Sequence, residues 1–462
     1  MTARHLRTLF LFALLICLQK VQQGSAQTLY WLGAPTAWTI SIAYDVSADG
    51  AVVVGYFSKP GNPLSIAFRW TRRFGNRQID TYYKTSTALA LSPNGTVVVG
   101  SARATFSTFS FRWRTSNPDN NNDGYPDLEK LHILIGDDDR ATGVSDNGKV
   151  IVGYARNANN DVAYRWVEGQ GATELGTLGG EESAALDVSA DGRVVVGSST
   201  NNQGRTHAFV WTTSGGMKVI TSLTPLLFKS SLAHAVSSDG RFVVGRAEKT
   251  TGEIIAFHYD RQKGKWTTLE SLGGLETVAT DVSADGEVVV GYGDNALGMP
   301  NAFVWTKATG TQNLNKLYGH LLDSPESRFV RAWAVSPDGR YIAGVAYHKA
   351  TGKNEAFLLE IGQLTSSEEI TTSQPTAPQL FSNAPNPFSE ATTLSFYLPQ
   401  PAHVRLEVFD LLGRHITTLL DVRRPAGHHT VQYRPTNLTT GLYVYRLTVG
   451  NRQLYQKMLY LK

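Results

Sequence analysis

Nine residues, DNNNDGYPD (119–127), place oxygen ligands at the first, third, fifth and ninth positions of a short loop. Asp119, Asn121, Asp123 and Asp127 supply side-chain oxygens, Gly124 permits a sharp bend, and Tyr125 offers a backbone carbonyl at the seventh position. Hard oxygen donors at this spacing suit calcium. The twelfth position is Lys130, where a bidentate carboxylate would ordinarily close the shell, so a hydrophilic hairpin insertion is the alternative. A second set of candidates is aromatic. Trp38, Tyr82, Tyr83 and Tyr318 fall in stretches that cross between repeated segments, where rings can stack on sugars or peptide side chains or else pack the repeats together. A third set is acidic: Asp45, Asp187 and Asp281 share one repeat position, suited to a cation or polar ligand in a central channel, or to hydrogen bonds with neighbouring backbone.

For catalysis the chain offers little by motif. No His-Glu-x-x-His, Gly-x-Ser-x-Gly or phosphate loop is present, so no catalytic residue is assigned, and calcium is the one cofactor expected. Carboxylates drawn together from distant segments remain open to a hydrolase or lyase.

The elements that must position these residues repeat. DVSADGAVVVGYF (45–57) returns as DVSADGRVVVGSS (187–199) and DVSADGEVVVGYG (281–293). Fainter copies lie at 89–101, 142–154, 234–246 and 333–345, which makes seven units. Their spacing of roughly 44 to 53 residues is that of propeller blades. Each unit carries a second signature downstream, as in AFRW (67–70), AYRW (163–166) and HAFVW (207–211).

Within a unit, Ala-x-Asp-Val-Ser reads as a strand, Ser-x-Asp-Gly as a tight turn, and Val-Val-Val-Gly as a strand buried on both faces. A polar loop leads to the Ala-Phe-x-Trp strand, and TELGTLGG (173–180) or TTLESLGG (267–274) reads as the fourth. The last unit stops at AFLLEI (356–361), one strand short, and TLYWLGA (28–34) resembles the missing piece. The expected fold is all-β: a seven-bladed β-propeller of four-stranded blades over 27–361, its last blade closed by the N-terminal strand. Uniform Asp-Gly turns would share one face. Polar loops of varied length, such as TNNQGR (200–205) and GDNALGMPN (293–301), would share the other, as befits a binding surface on a rigid scaffold.

Residues 1–26 read as a secretory signal peptide, with Arg4 and Arg7 before TLFLFALLICL (8–18) and small residues at 24–26. The one cysteine, Cys17, lies inside it, so the mature chain would carry no disulfide or thiolate metal site. No other stretch is apolar and long enough for a transmembrane helix. Residues 362–379 are a Ser/Thr/Pro-rich flexible linker, and 380–462 alternate as a small immunoglobulin-like β-sandwich. The net charge of +4 hides an asymmetry: 391–462 hold nine Lys/Arg against three Asp/Glu, which leaves 27–390 mildly acidic. No basic stripe is present, which argues against nucleic acid as a partner.

Two resemblances extend this reading. NPF (386–388), VRLEVFDLLGR (404–414), PAGHHTV (425–431), LTTGLYVYRL (438–447) and KMLYLK (457–462) resemble the type A sorting domain of the type IX secretion system. That implies export, recognition of 380–462 by the type IX machinery, and a secreted or outer-membrane-attached product. The repeats look like the extracellular family named for its His-Ala-Phe (HAF) triplet, here His207-Ala208-Phe209, which implies a propeller and no particular activity. The functional expectation is a non-catalytic binding or scaffold propeller that recognises glycan or protein. A secreted polysaccharide hydrolase or lyase and a structural adhesion component are the alternatives.

Overall fold

The computed structural model describes residues 27–461 except 36–37, 60, 80–82, 84, 105–106, 117–126, 134–137, 158–159, 221–227, 363–377, 382, 384–385, 411–412 and 437. The candidate signal peptide, most of the linker, Tyr82, and Asp119, Asn121, Asp123 and Tyr125 lie outside the described residues. The chain divides into two compact units, Met1–Ser366 and Ser367–Lys462.

The first unit is built from antiparallel strands. Ile40–Val46, Val52–Lys59, Asn62–Thr71 and Gly75–Gln78 form a four-stranded sheet in chain order. The same order recurs from Thr85–Leu91, Asp138–Val144, Gly179–Val188, Phe228–Val236 and Gly273–Val282. One pair, Ile254 with Glu276, joins the last two of these sets into an eight-stranded sheet. The final set, Arg328–Val335, Tyr341–His348 and Lys353–Glu360, takes its fourth strand from the start of the chain. There Thr28–Trp31 runs antiparallel to Lys353–Glu360, with Thr28 opposite Glu360 and Trp31 opposite Phe357. The arrangement is all-β and propeller-like, and the first strands of successive sets touch in a cycle that returns from Arg328–Val335 to Ile40–Val46.

Local chemistry explains why the motif repeats. In the turn after each first strand, Ser47 Oγ donates to Asp49 Oδ1 at 2.7 Å, Ala51 N donates to the same oxygen at 2.9 Å, and Val52 N donates to Ser47 Oγ. Gly50 has φ +62°, a left-handed value that glycine adopts without a side-chain clash. The Asp-Gly pairs are thus self-contained hairpin closures. The glycine that ends Val-Val-Val-Gly has a different reason. A Cβ on Gly197 would sit 2.0 Å from the Ala184 carbonyl oxygen, because a bulge in Gly179–Val188 pushes that backbone against it.

The Ala-Phe pair fills the seams between sheets: Ala208 and Phe209, like Ala67 and Phe68, are wholly buried. Where one set replaces the alanine with Ser110, the next set replaces phenylalanine with Tyr164, and the two hydroxyls bond at 2.8 Å. One seam joins the last set to the first, with Ala334, Tyr341, Ala343 and Leu358 packed against Ala43, Val53, Phe57 and Phe68. Across it Ala356 N donates to Ser41 Oγ at 2.8 Å.

One expectation needs correction. TELGTLGG and TTLESLGG are not single fourth strands: those strands are only Gly171–Glu174 and Lys265–Thr268, and Gly179 and Gly273 already open the next first strand. Leu175 and Leu269 are buried just beyond the short strands, so the chain turns inward there and crosses to the next sheet.

The second unit packs Gln379–Leu380, Thr392–Leu398 and Gly427–Tyr433 in one sheet and His415–Arg424, Ala402–Asp410, Gly441–Val449 and Arg452–Tyr460 in another. Leu394, Phe396, Val404, Leu406, Tyr445 and Met458 form its core. The Asn-Pro-Phe segment is strapped to the last strand. Asn386 Oδ1 accepts from Leu459 N at 2.8 Å, Phe388 exchanges backbone bonds with Leu459 and Leu461, and its ring is buried.

Candidate functional site

The first strands carry two layers of divergent side chains, separated by the paired alanine and glycine (Ala43 opposite Gly55 in the first set). On the side nearer the Asp-Gly turns lie Asp45, Asp187 and Asp281, opposite Val54, Val196 and Val290. Each carboxylate bridges two sets. Asp45 accepts from its neighbour Val46 N at 2.7 Å and from Leu91 N of the next set at 2.8 Å. Asp187 does the same with Val188 and Val236, and Asp281 with Val282 and Val335. Burial pushes the carboxyls of Asp45 and Asp187 up to about 7 and raises Asp281 well above the ordinary range, against the pull of these backbone donors. Mutual repulsion adds to the rise, for Asp45 from Asp187 and for Asp281 from both others. Thr142, His234 and Thr280 make comparable links, to Ala185, Ala279 and Ala332 carbonyls. His234 is pushed down to about 4 by burial, with Arg246 adding to the fall, so it is a neutral ring that donates from Nδ1 to Ala279.

The other layer faces the side of the second-to-third-strand hairpins. Its pairs are Ile42 with Tyr56, Thr87 with Ser101, Arg140 with Tyr154, Ala184 with Ser198, Leu232 with Arg246, Val278 with Tyr292, and Arg331 with Val345. Tyr44 and Trp333, the variable residues of Ala-x-Asp, complete it. Trp333 meets Tyr44 edge-on at 5.5 Å and Tyr292 at 5.7 Å, and Tyr44 lies 5.7 Å from Tyr56. The Arg331 guanidinium sits 4.7 Å from the Tyr292 ring centre and 5.9 Å from that of Trp333. Arg331 Nε and Trp333 Nε1 are buried and have no hydrogen-bond partner among the described residues. Burial raises the Tyr292 phenol, as does Glu276, while Arg331 and Arg246 pull it back. Beside this cluster a cleft of about 360 Å³ is lined by Tyr44, Tyr56, Ser58, Leu64, Ser65, Thr87, Leu89, Ser101 and Arg140.

The sequence candidates lie elsewhere. Trp38 is half-buried against the seam between the last and first sets, with Lys59 Nζ 5.5 Å from its ring. Tyr83 is partly buried and packs edge-on against Phe109 at 4.8 Å. Tyr318 ends the short helix Leu314–Tyr318 and is packed in the core at 3% exposure, so its ring offers no stacking face. Asp127 stands just ahead of the strand Glu129–Lys130, and the other loop ligands lie outside the described residues. Among the described residues, no group of three or more His, Cys, Asp or Glu is placed to hold a metal ion.

Sequence reasoning missed the Arg331–Tyr292–Trp333 cluster. A signal was there: inside a motif otherwise nearly invariant, the x of Ala-x-Asp reads Tyr44, Leu89, Thr142, Leu186, His234, Thr280 and Trp333. It also missed the strand-to-turn locks, where Arg69, Arg112, Arg165 and His258 each reach the turn-glycine carbonyl of the next set.

This is an exported all-β protein with a propeller-like first unit. The family described as "Secretion system C-terminal sorting domain" matches residues 384–460, so the tail is a type IX sorting domain and implies delivery to the cell surface or the medium. Among the described residues no helix is long and apolar enough to cross a membrane. No curated protein matches the chain. Solved structures similar to it include TolB from Acinetobacter baumannii, at 13% identity and TM-score 0.40, covering 72% of this chain and 66% of that one. An oligogalacturonate lyase in complex with manganese is 11% identical with TM-score 0.47, covering 72% of this chain and 93% of that one. The Cps50 (Swd1) β-propeller domain from Myceliophteria thermophila is 10% identical with TM-score 0.42, covering 71% and 98%.

Proposed function

We propose that the first unit is a seven-bladed β-propeller clasped by its N-terminal strand, and that it is a non-catalytic module binding glycan or protein after export. The observation that carries this reading is the division of labour in the first strands. Three half-buried aspartates are occupied by backbone donors between sets, while the layer on the hairpin side presents rings and arginines beside an open cleft. Carboxylates held by two backbone N–H groups each are poorly placed as general acids or bases. Rings and planar guanidinium groups suit recognition.

The test is incubation of the purified protein with a polysaccharide panel, reading both retained protein and glycan mass. Retention on unchanged glycan is expected. Shortened glycan would make the protein a hydrolase or lyase instead. For residues 119–127 the proposal is a calcium loop with a structural role. Calorimetric titration with calcium should show one binding event that Asp123→Asn weakens, whereas no heat would leave a plain polar insertion. The tail's role is read by truncation after Gln379, which should leave the protein undelivered to the surface.

A further inference from the structure

The cleft and its ring of unlike residues suggest what kind of ligand would sit there. We propose that the layer containing Arg140, Tyr44, Trp333, Tyr292 and Arg331 is a subsite for an anionic saccharide. In this subsite the sugar ring lies against the aromatic edges and its carboxylate or sulfate is held by guanidinium groups. The inference rests on the binding reading above and adds the site and the chemical class.

Three observations carry it. First, Arg331 is packed among rings instead of against a carboxylate, 4.7 Å from the Tyr292 centroid, with its Nε buried and unpartnered among the described residues. Arg112, by contrast, is held by Glu129 at 2.7 Å and Glu168 at 3.1 Å. A half-buried guanidinium without a carboxylate retains donors for an incoming anion, and its planar fork matches a carboxylate or sulfate bidentately. Second, a chain of contacts links it to the cleft: Tyr292 to Trp333, Trp333 to Tyr44, and Tyr44 to the cleft wall that ends in exposed Arg140. The volume of about 360 Å³ falls at the small end of ligand sites. Third, the three acids of the repeat position do not face the proposed anion. Asp45, Asp187 and Asp281 occupy the opposite layer and are pinned to backbone. The ligand therefore belongs on the arc from Arg140 through Tyr44 to Arg331.

The experiment measures binding of the full secreted chain to alginate, κ-carrageenan and neutral amylose by affinity electrophoresis and calorimetry. Alginate carries carboxylates and κ-carrageenan carries sulfate esters, so the two arms separate the sources of the anion. Tighter binding to at least one of them than to amylose is expected. Arg331→Gln should weaken it at least about tenfold, as loss of a charge-assisted pair implies. Arg140→Gln, an exposed position safe for folding, should weaken it a few-fold, and Arg193→Gln on the turn side should not change it. If Arg331→Gln unfolds, Arg140→Gln and Arg331→Lys still decide the matter. Equal binding to amylose and to the anionic glycans would overturn this inference and leave the binding module standing. Binding to anionic glycans that neither Arg140→Gln nor an arginine-331 variant reduces would also overturn it. Absence of binding to all three would overturn this inference and leave the binding reading resting on protein recognition.

Discussion

Two layers of the same first strands, separated by one alanine–glycine pair, have opposite chemistry. The layer near the Asp-Gly turns carries three half-buried aspartates, each hydrogen-bonded to the backbone of its own set and the next. The layer near the hairpins carries rings and arginines, and among the described residues Arg331 Nε and Trp333 Nε1 have no hydrogen-bond partner. The backbone is common to both, so the difference lies in which side chains the scaffold must use. Positions that touch the next set are committed to closing seams. Positions one step along are free to diverge, and divergence there is what recognition requires.

The comparison can be broken most forcefully at the seam. Phe209 is wholly buried, and Phe209→Ala should cost about 3–5 kcal/mol of stability, read by thermal or urea unfolding of the purified protein. Gly197→Ala should also be costly, because its Cβ would meet the Ala184 carbonyl oxygen at 2.0 Å, and overpacking of this kind costs about 1–3 kcal/mol or more. Neither change touches the hairpin-side layer, so any binding loss should follow the unfolded fraction alone.

A subtler break uses pH. The carboxyls of Asp45 and Asp187 lie near 7 in the folded chain and at the ordinary 3.8 in the unfolded one, and Asp281 shifts the same way. The folded state therefore keeps protons that the unfolded state releases. Stability should fall as pH rises from about 4 to about 7 and level off above that. The triple change of these aspartates to alanine, the residue other sets carry at 90, 235 and 334, should lower stability at pH 5 and flatten the slope. An unchanged slope would mean the three groups are ionised throughout.

The smallest effect belongs to the strand that joins the first and last sets. Trp31 stacks on His348 at 4.0 Å, and His348 is flanked by Asp323 at 3.0 Å and Glu355 at 2.9 Å. Burial opposes its charge, but bonds to the two carboxylates outweigh that and lift it to about 9. This contribution is fully present below about 6.5 and should be lost as pH rises through about 9, a loss that His348→Gln should abolish. Melting temperatures between pH 7 and 10 would show it.

These contrasts also mark what the sequence could reveal. The repeat period, the Ser-x-Asp-Gly turn and the Ala-Phe strand were legible because each follows from local sterics or from a period that any window displays. The fourth strands were overdrawn, since Leu175 and Leu269 read equally well as strand residues or as plugs under a crossing. Tyr318 illustrates the same limit: an aromatic in a crossing segment has no sequence mark that separates a stacking platform from a core residue. The Arg331–Tyr292–Trp333 cluster stayed hidden because its members come from neighbouring units, and only the packing of one unit against the next brings them together.

The most direct test of the central claim pairs two variants, Asp187→Ala and Arg331→Gln, each measured for melting temperature and for retention on the glycan the native chain binds. The account predicts a double dissociation. Asp187→Ala should lower the melting temperature with retention intact below the transition, and Arg331→Gln should lose retention while melting within a degree or two of native. If Asp187→Ala abolished retention in a folded protein, or Arg331→Gln left it unchanged, the assignment of building to one layer and binding to the other would be contradicted.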